Sequence, residues 1–238
     1  MTNDPRPPPA AAHAFVTSLD APELDDDDAH HLHRVLRLRD GELVTIADGK
    51  GRWRTCRVVR GLLDVDGPIH TTRRLEPAIT VAFAVTKGDR PEWTVQKLTE
   101  LGVDRIVPVL ADRSVVLWDD RRAARGVQRL RVIARSAAMQ SRRTWLPCVD
   151  DAASSTEMAR RFADIVLAHP GGSVASLERP AIAVGPEGGW SPAELERAVG
   201  TLDLGANTLR TETAAVAAGV LLTALRAGMV EGIPSKNA

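Results

Sequence analysis

Two glycine-bearing turns in the last quarter of the chain constrain its fold more than any other feature. The apolar run Ala181-Ile182-Ala183-Val184 opens into Gly185-Pro186-Glu187-Gly188-Gly189-Trp190. About twenty residues later, the segment Leu204-Gly205-Ala206-Asn207-Thr208-Leu209-Arg210-Thr211-Glu212-Thr213-Ala214 begins the second turn. Each turn follows a short strand-like run and precedes a helical pattern. Glycine has no Cβ and takes φ > 0, so such turns suit backbone that approaches a ligand closely. In an open α/β sheet ligands bind outside the carboxyl ends of the strands, where both turns would lie. A tight strand-to-helix turn without a ligand would use the same residues.

The residues around these turns extend the α/β pattern. Strands are expected over Ile79–Val85, Arg105–Leu110, Ile165–Ala168, Ala181–Val184 and Leu202–Leu204. Helices are expected over Pro91–Leu101, closed by Gly102, over Arg121–Ser141, and over Glu212–Arg226. Ser191-Pro192-Ala193-Glu194 has the N-cap serine, first-turn proline and glutamate of a capping box. Strands alternating with helices predict a mostly parallel sheet covered on both faces.

The first third reads differently. Residues 1–10 are proline-rich and expected to be a disordered tail. The acidic run Asp25–Asp28 marks the start of a short helix through His30-His31-Leu32-His33-Arg34-Val35-Leu36-Arg37, its acids complementing the helix dipole. Those histidines, at i, i+1 and i+3, do not share one helix face, so no metal site is expected. From residue 41 to 70 the pattern is β-like. Leu43-Val44-Thr45-Ile46 ends at the hairpin signal Asp48-Gly49-Lys50-Gly51, and Arg52-Trp53-Arg54-Thr55-Cys56-Arg57-Val58-Val59 resumes as a strand. This predicts a small β-barrel. Its basic strand with an embedded Trp either lies against nucleic acid or is a solvated face. Residues 71–78 read as the link between domains.

Charge narrows the partner. The chain has 31 basic and 31 acidic residues, so affinity for nucleic acid must come from local clustering. All but four of the basic residues are Arg, which fits either phosphate recognition or a GC-rich genome. Eight Arg and no acid lie between Arg121 and Arg143. Arg121, Arg122, Arg125, Arg129, Arg131 and Arg135 fan across one half of the helix, and Ala123, Val127, Leu130, Ile133, Ala134, Ala137 and Ala138 fill the other. Like charges at i, i+4 repel, so this face predicts an anionic partner, with RNA phosphate favoured over membrane. No apolar run is long enough to span a bilayer, and the N-terminus has no apolar signal core. The two distant cysteines, Cys56 and Cys148, make neither a disulfide framework nor a zinc spacing and fit a reducing cytoplasm.

The loop Gly185–Gly189 matches neither the dinucleotide nor the P-loop spacing, and it lacks the P-loop Lys. Glu187 in mid-loop would repel a phosphate. It suits the ribose, amino or sulfonium groups of S-adenosylmethionine.

On these motifs the chain resembles the RsmE family, SPOUT-class enzymes that methylate N3 of a uridine in small-subunit (16S) ribosomal RNA. The resemblance rests on Val184–Gly189 and on Leu204-Gly205 through Ala214. Supporting matches are His33–Arg37 with Gly41, Asp48-Gly49, Lys87 with Trp93–Val103, Gln140-Ser141 with Arg143 and Pro147, and His169-Pro170. It implies an α/β fold with a deep trefoil knot in residues 75–238 and a PUA-like β-barrel for RNA in residues 11–74. It further implies a homodimer, S-adenosylmethionine held in the knot, and 16S rRNA or the small ribosomal subunit as partner. The cofactor candidates are Leu167, His169, Gly185, Pro186, Glu187, Gly188, Leu204, Gly205, Leu209, Thr213 and Ala214. The RNA candidates are Arg34, Arg37, Arg54, Arg135 and Arg143. The sequence departs from the family where Met139 stands in place of a frequent Glu and where Trp145 replaces a commonly polar or basic residue.

N3 of uridine must lose its proton, so a base and a cation are sought near the transferred methyl group. Glu212 is the candidate for the base or for orientation, and Arg210 for anion stabilisation; an Arg–Glu pair at a helix start also serves simply as a cap. A non-catalytic RNA-binding protein and a knotted methyltransferase acting on another RNA base are the competing readings.

Overall fold

The structure, a computed structural model, describes residues 6–25, 28 and 37–231. The chain divides into one unit over Met1–Arg74 and Arg135–Leu146 and a second over Leu75–Ala134 and Pro147–Ala238.

In the first unit, strands β1 (Ala12–Phe15), β2 (Leu43–Ala47), β3 (Arg52–Val59), β4 (Leu62–Val65) and β5 (His70–Thr71) form one sheet. The order is β1-β2-β3-β4, with β5 also on β3; β1 and β2 are parallel and the other pairs antiparallel. The expected hairpin joins β2 to β3. Its turn forms because Asp48 Oδ1 accepts from the backbone N–H groups of Lys50 and Arg52, at 2.8 and 3.1 Å. Along β3, Cys56 and Val58 share one buried face and Trp53 is buried on the opposite face, while Arg52 and Arg57 are exposed. Ala14, Val44, Ile46, Cys56 and Val58 form the core beneath. Cys56 is buried and Cys148 exposed, and neither is in a disulfide.

The second unit holds a fully parallel seven-stranded sheet. Its strands are β6 (Thr80–Ala84), β7 (Arg105–Leu110), β8 (Cys148–Val149), β9 (Ala153–Ser154), β10 (Val166–Ser173), β11 (Ala181–Val184) and β12 (Thr201–Leu202). The order is β12-β10-β11-β6-β7-β8, with β9 also on β7. The helices are α1 (Arg90–Leu101), α2 (Asp120–Gln140), α3 (Ser155–Arg161), α4 (Pro192–Glu196) and α5 (Thr211–Arg226). Alternation along β6 supplies both faces. Val81 and Phe83 pack with Val95, Leu98, Leu130, Ala215 and Leu222, while Ala82 and Ala84 pack with Val107, Met158 and Trp190. The two-faced parallel sheet expected from the sequence is therefore present.

Helix boundaries follow local chemistry. Gly102, at φ 92°, ends α1 in the left-handed conformation. Ser191 and Glu194 make the expected capping box on α4, and Ser154 and Glu157 make a second, unforeseen one on α3. Strand β10 runs on to Ser173, beyond the expected Ala168. Its extension, His169-Pro170-Gly171-Gly172-Ser173, shows no strand periodicity and pairs with β12 across a register shift.

Helix α5 buries Ala214, Ala215, Ala218, Gly219 and Leu222. A Cβ at Gly219 would lie 2.9 Å from Leu98 Cδ2, so α5 and α1 approach more closely than a larger residue permits. At its end, Arg226 pairs with Asp104, both side chains buried, and donates to the carbonyls of Pro77 (3.2 Å) and Gly102 (2.9 Å).

Candidate active site

The carboxyl ends of β10, β11 and β12, three adjacent strands, open into a cleft of about 500 Å³, within the usual range for a small-molecule site. Its walls come from Ala168–Pro170 within β10, Val184 at the end of β11 with Gly185–Glu187, Gly189 and Trp190 after it, and Asp203–Leu209 after β12. Thr211 and Ala214 of α5 and the side chain of Arg113 complete it.

Specific hydrogen bonds hold these segments together. Asp203 receives the backbone N–H groups of Gly205 and Gly171, both at 2.8 Å, so one carboxylate pins the second glycine turn to the β10 extension. Those bonds, from Gly205 first and then Gly171, hold the Asp203 carboxyl below the usual carboxylate range. Thr211 Oγ1 donates to Gly185 O at 3.0 Å and ties the start of α5 to the first turn. Trp190 Nε1 donates to Ala168 O at 3.2 Å, and a Cβ at Gly185 would meet the Trp190 ring at 3.0 Å. Gly185 thus lets the indole close under the turn, and Gly205 supplies φ 120°, which other residues rarely adopt. Arg113 donates to Gly188 O at 3.1 Å.

The lining is apolar at Val184, Pro186, Leu204 and Leu209 and acidic at Glu187 and Asp203. This arrangement fits a flat apolar group bearing hydroxyl or cationic substituents. It disfavours a phosphate, which two carboxylates would repel.

Of the residues expected to hold a cofactor, His169, Gly185, Pro186, Glu187, Leu204, Gly205, Leu209 and Ala214 line the cleft. Three do not. Leu167 is buried in the core with Trp190, Gly188 stands against Arg113, and Thr213 is exposed on α5. Arg210 is the exposed N-cap residue of α5, and its side chain makes no cap hydrogen bond. Glu212 is largely buried. Its Oε1 lies 3.8 Å from Arg90 Nε, and its buried Oε2 has no hydrogen-bond partner. Sequence reasoning passed over Arg90, Arg113, Asp203, Thr211 and Trp190 as site residues. Trp190 closes the first glycine motif and Thr211 lies inside the second, so both carried a signal. Arg90 carried none, because its partner Glu187 is 97 residues away.

The RNA candidates have different surroundings. Arg34 lies outside the described residues, as do His30, His31 and His33. Arg37 is exposed, with φ 54°. Arg54 donates to the carbonyls of Gly67 and Leu19, and its side chain is only 13% exposed. Arg135 pairs with Asp25 and Asp28, donates to Phe15 O and lies over the Phe15 ring. The guanidinium groups of Arg54 and Arg135 thus already have partners inside the unit. Arg143 accepts at its carbonyl from His13 Nε2 at 2.9 Å. The basic face of α2 is less purely positive than its own sequence suggests. Asp119, Glu92 and Asp151 pair with Arg122, Arg129 and Arg131, while Arg121 and Arg125 have no ion pair among the described residues.

The family departures have packing roles. Met139 packs against both apolar clusters of the first unit. Trp145 covers Gly51, where a Cβ would lie 2.5 Å from its ring, and donates to Thr72 O at 3.0 Å. Among the described residues no cluster of three or more His, Cys, Asp or Glu could hold a metal, and no helix is long and apolar enough to cross a membrane.

Comparison with known proteins gives concordant matches. Residues 74–223 match the model of an RNA methyltransferase domain, and residues 24–61 match that of an RNA methyltransferase PUA domain. The chain is 34% identical to the ribosomal RNA small subunit methyltransferase E of Mycobacterium bovis, over 82% of this chain and 83% of that protein. It is 33% identical to the protein of the same name from Bacillus subtilis, over 80% and 85%. Among solved structures, a Neisseria gonorrhoeae ribosomal RNA small subunit methyltransferase E bound to S-adenosylmethionine superimposes with a TM-score of 0.74. It is 30% identical over 90% of this chain and 97% of that one. A Legionella pneumophila protein in complex with the same bound cofactor superimposes with a TM-score of 0.78, at 27% identity over 89% and 96%.

Proposed function

The chain belongs to the ribosomal RNA small subunit methyltransferase E family, and from that premise we propose that it methylates N3 of a uridine in 16S ribosomal RNA with S-adenosylmethionine as donor. The observation that carries this reading is the cleft built by the two glycine turns, the second held to the β10 extension through Asp203 and the first to the start of α5 through Thr211. Glu187 and Asp203 give it acceptors for ribose hydroxyls and a negative wall for a sulfonium, and Val184, Leu204 and Leu209 give it an apolar slot for a base. When bound, the donor supplies an already activated methyl group, so the protein's part is placement.

The chain's own residues then govern the proton and the charge. Glu212 takes or orients the N3 proton, through a carboxylate whose inner oxygen is unpartnered. Arg210, the N-cap residue of α5, offsets the negative charge that develops on the uracil. In this reading residues 11–74 form the PUA-like RNA-binding barrel, and residues 75–238 form the methyltransferase domain with its trefoil knot. Arg37, Arg121 and Arg125 are exposed cations available to RNA phosphates. The half-exposed apolar residues Val220 and Leu221 of α5 favour a homodimer, and the substrate places the enzyme in the cytoplasm.

Two measurements test the reading. Calorimetry with S-adenosylmethionine should give saturable heat, and 16S rRNA from a deletion strain should lack one N3-methyluridine by mass spectrometry. A protein that binds RNA but not the donor, or unchanged RNA in the deletion strain, would refute it.

A further inference from the structure

Arg90 opens α1, and its guanidinium stands between two carboxylates from distant parts of the chain. Nη1 donates to Glu187 Oε1 at 3.2 Å, while Nε lies 3.8 Å from Glu212 Oε1, too far for a hydrogen bond. The two acids are unequal. Glu187 lines the cleft and its side chain is 46% exposed, whereas that of Glu212 is 14% exposed and leaves Oε2 buried without a partner. A buried carboxylate gains most from a close cation and filled acceptor sites. Here the closer approach goes to the acid that needs it less, because water already reaches Glu187.

We propose that Arg90 is a positioning residue that couples occupancy of the donor cleft to the setting of Glu212. A donor hydroxyl taken up by Glu187 loosens that carboxylate's hold on Arg90, and the guanidinium closes on Glu212. Only hydrogen-bond partners are exchanged; all three side chains keep their charges. The carboxylate that handles the N3 proton is thereby fixed only once the donor is in place. The inference rests on the methyltransferase reading above.

The test measures kcat and the dissociation constant of S-adenosylmethionine for the full-length protein and for Arg90→Met, Arg90→Lys, Glu212→Gln and Arg90→Met/Glu212→Gln. Arg90→Met should lower kcat about tenfold or more, within the usual range of coupling between sites, with donor affinity changed by less than about threefold. Arg90→Lys should recover part of the loss, because a point charge can approach one carboxylate but cannot fork between two. The double variant should be no slower than Glu212→Gln alone, since Arg90 acts through Glu212. An unchanged kcat in Arg90→Met, a loss confined to donor affinity, or multiplying effects in the double variant would overturn the inference. Arg90→Lys at full kcat would do the same should Arg90→Met not fold. Wild-type protein that neither binds the donor nor methylates RNA would overturn the functional reading itself. The other results, in an active wild type, overturn only the role of Arg90.

Discussion

Glu212 is the residue with the most unusual surroundings, a largely buried carboxylate with one oxygen unpartnered and one distant cation. Its replacement by Gln preserves shape and should leave S-adenosylmethionine binding intact while slowing turnover about 10²-fold, the usual worth of a positioned base. Turnover equal to wild type in a single-turnover assay would remove its chemical role. Asp203 has the opposite setting, with its two oxygens accepting backbone N–H groups from the second turn and from the β10 extension. Asp203→Ala leaves those amides unpaired and frees the second turn, so donor affinity measured by calorimetry should fall about tenfold or more. His13 in the first unit reports on pH. Burial, partly opposed by the bond to the Arg143 carbonyl, pushes its pKa down to about 4 from the usual 6.5. That carbonyl can only accept, so Nε2 carries the proton and Nδ1 accepts from Thr45 Oγ1 at 2.7 Å. The folded state thus keeps His13 neutral, and the unfolded chain binds the extra proton first. Its contribution to stability is full above pH 6.5 and is lost as pH falls toward 4, on the order of 3 kcal/mol in all. Urea unfolding at pH 7 and pH 5 should show this loss in wild type and a smaller one in His13→Gln.

At the scale of elements, α5 carries two demands. Its first turn borders the cleft, and its buried face must lie close to α1. Gly219 meets the second demand, because the Leu98 side chain occupies the space a Cβ would need. Gly219→Val should destabilise the protein by about 1–3 kcal/mol through overpacking, read as a lower thermal midpoint. Loss of donor binding would accompany it only as far as the start of α5 shifts. The helices were legible because their punctuation is local. Pro91 and Gly102 bracket α1, and Ser191 with Glu194 starts α4. Strands β8 and β9 were not, because two residues carry no periodicity, and neither was the β10 extension. Its Pro170, Gly171 and Gly172 read as a loop, and only pairing with β12 makes them strand.

Over the whole molecule, equal numbers of acids and bases leave RNA affinity to local clusters. The basic helix shows how far local charge can be read. Its sequence suggests an unbroken positive face, yet Glu92 and Asp151, remote in the chain, neutralise Arg129 and Arg131. Arg121 and Arg125 have no ion pair among the described residues. Reversing both to Glu should weaken RNA binding with little effect on donor affinity. The salt dependence of log K should flatten by about one unit for each phosphate that is no longer neutralised, and an unchanged slope would assign RNA binding elsewhere. Buried charge in the second unit is a separate matter. Asp104→Ala strips Arg226 of its buried counter-ion and should cost about 3–5 kcal/mol in denaturant unfolding.

By itself the sequence determined the parallel α/β sheet, the ends of its principal helices and the two glycine turns that line the cleft. Each of these is written in residues a few positions apart, whose backbone preferences act before the chain folds. Only the tertiary structure decided that Asp203 pins the second turn to the β10 extension, that Arg90 stands between Glu187 and Glu212, and that Arg54 and Arg135 are held by internal partners. Such pairings join residues distant along the chain, and no local preference records which side chains packing will bring within reach of one another.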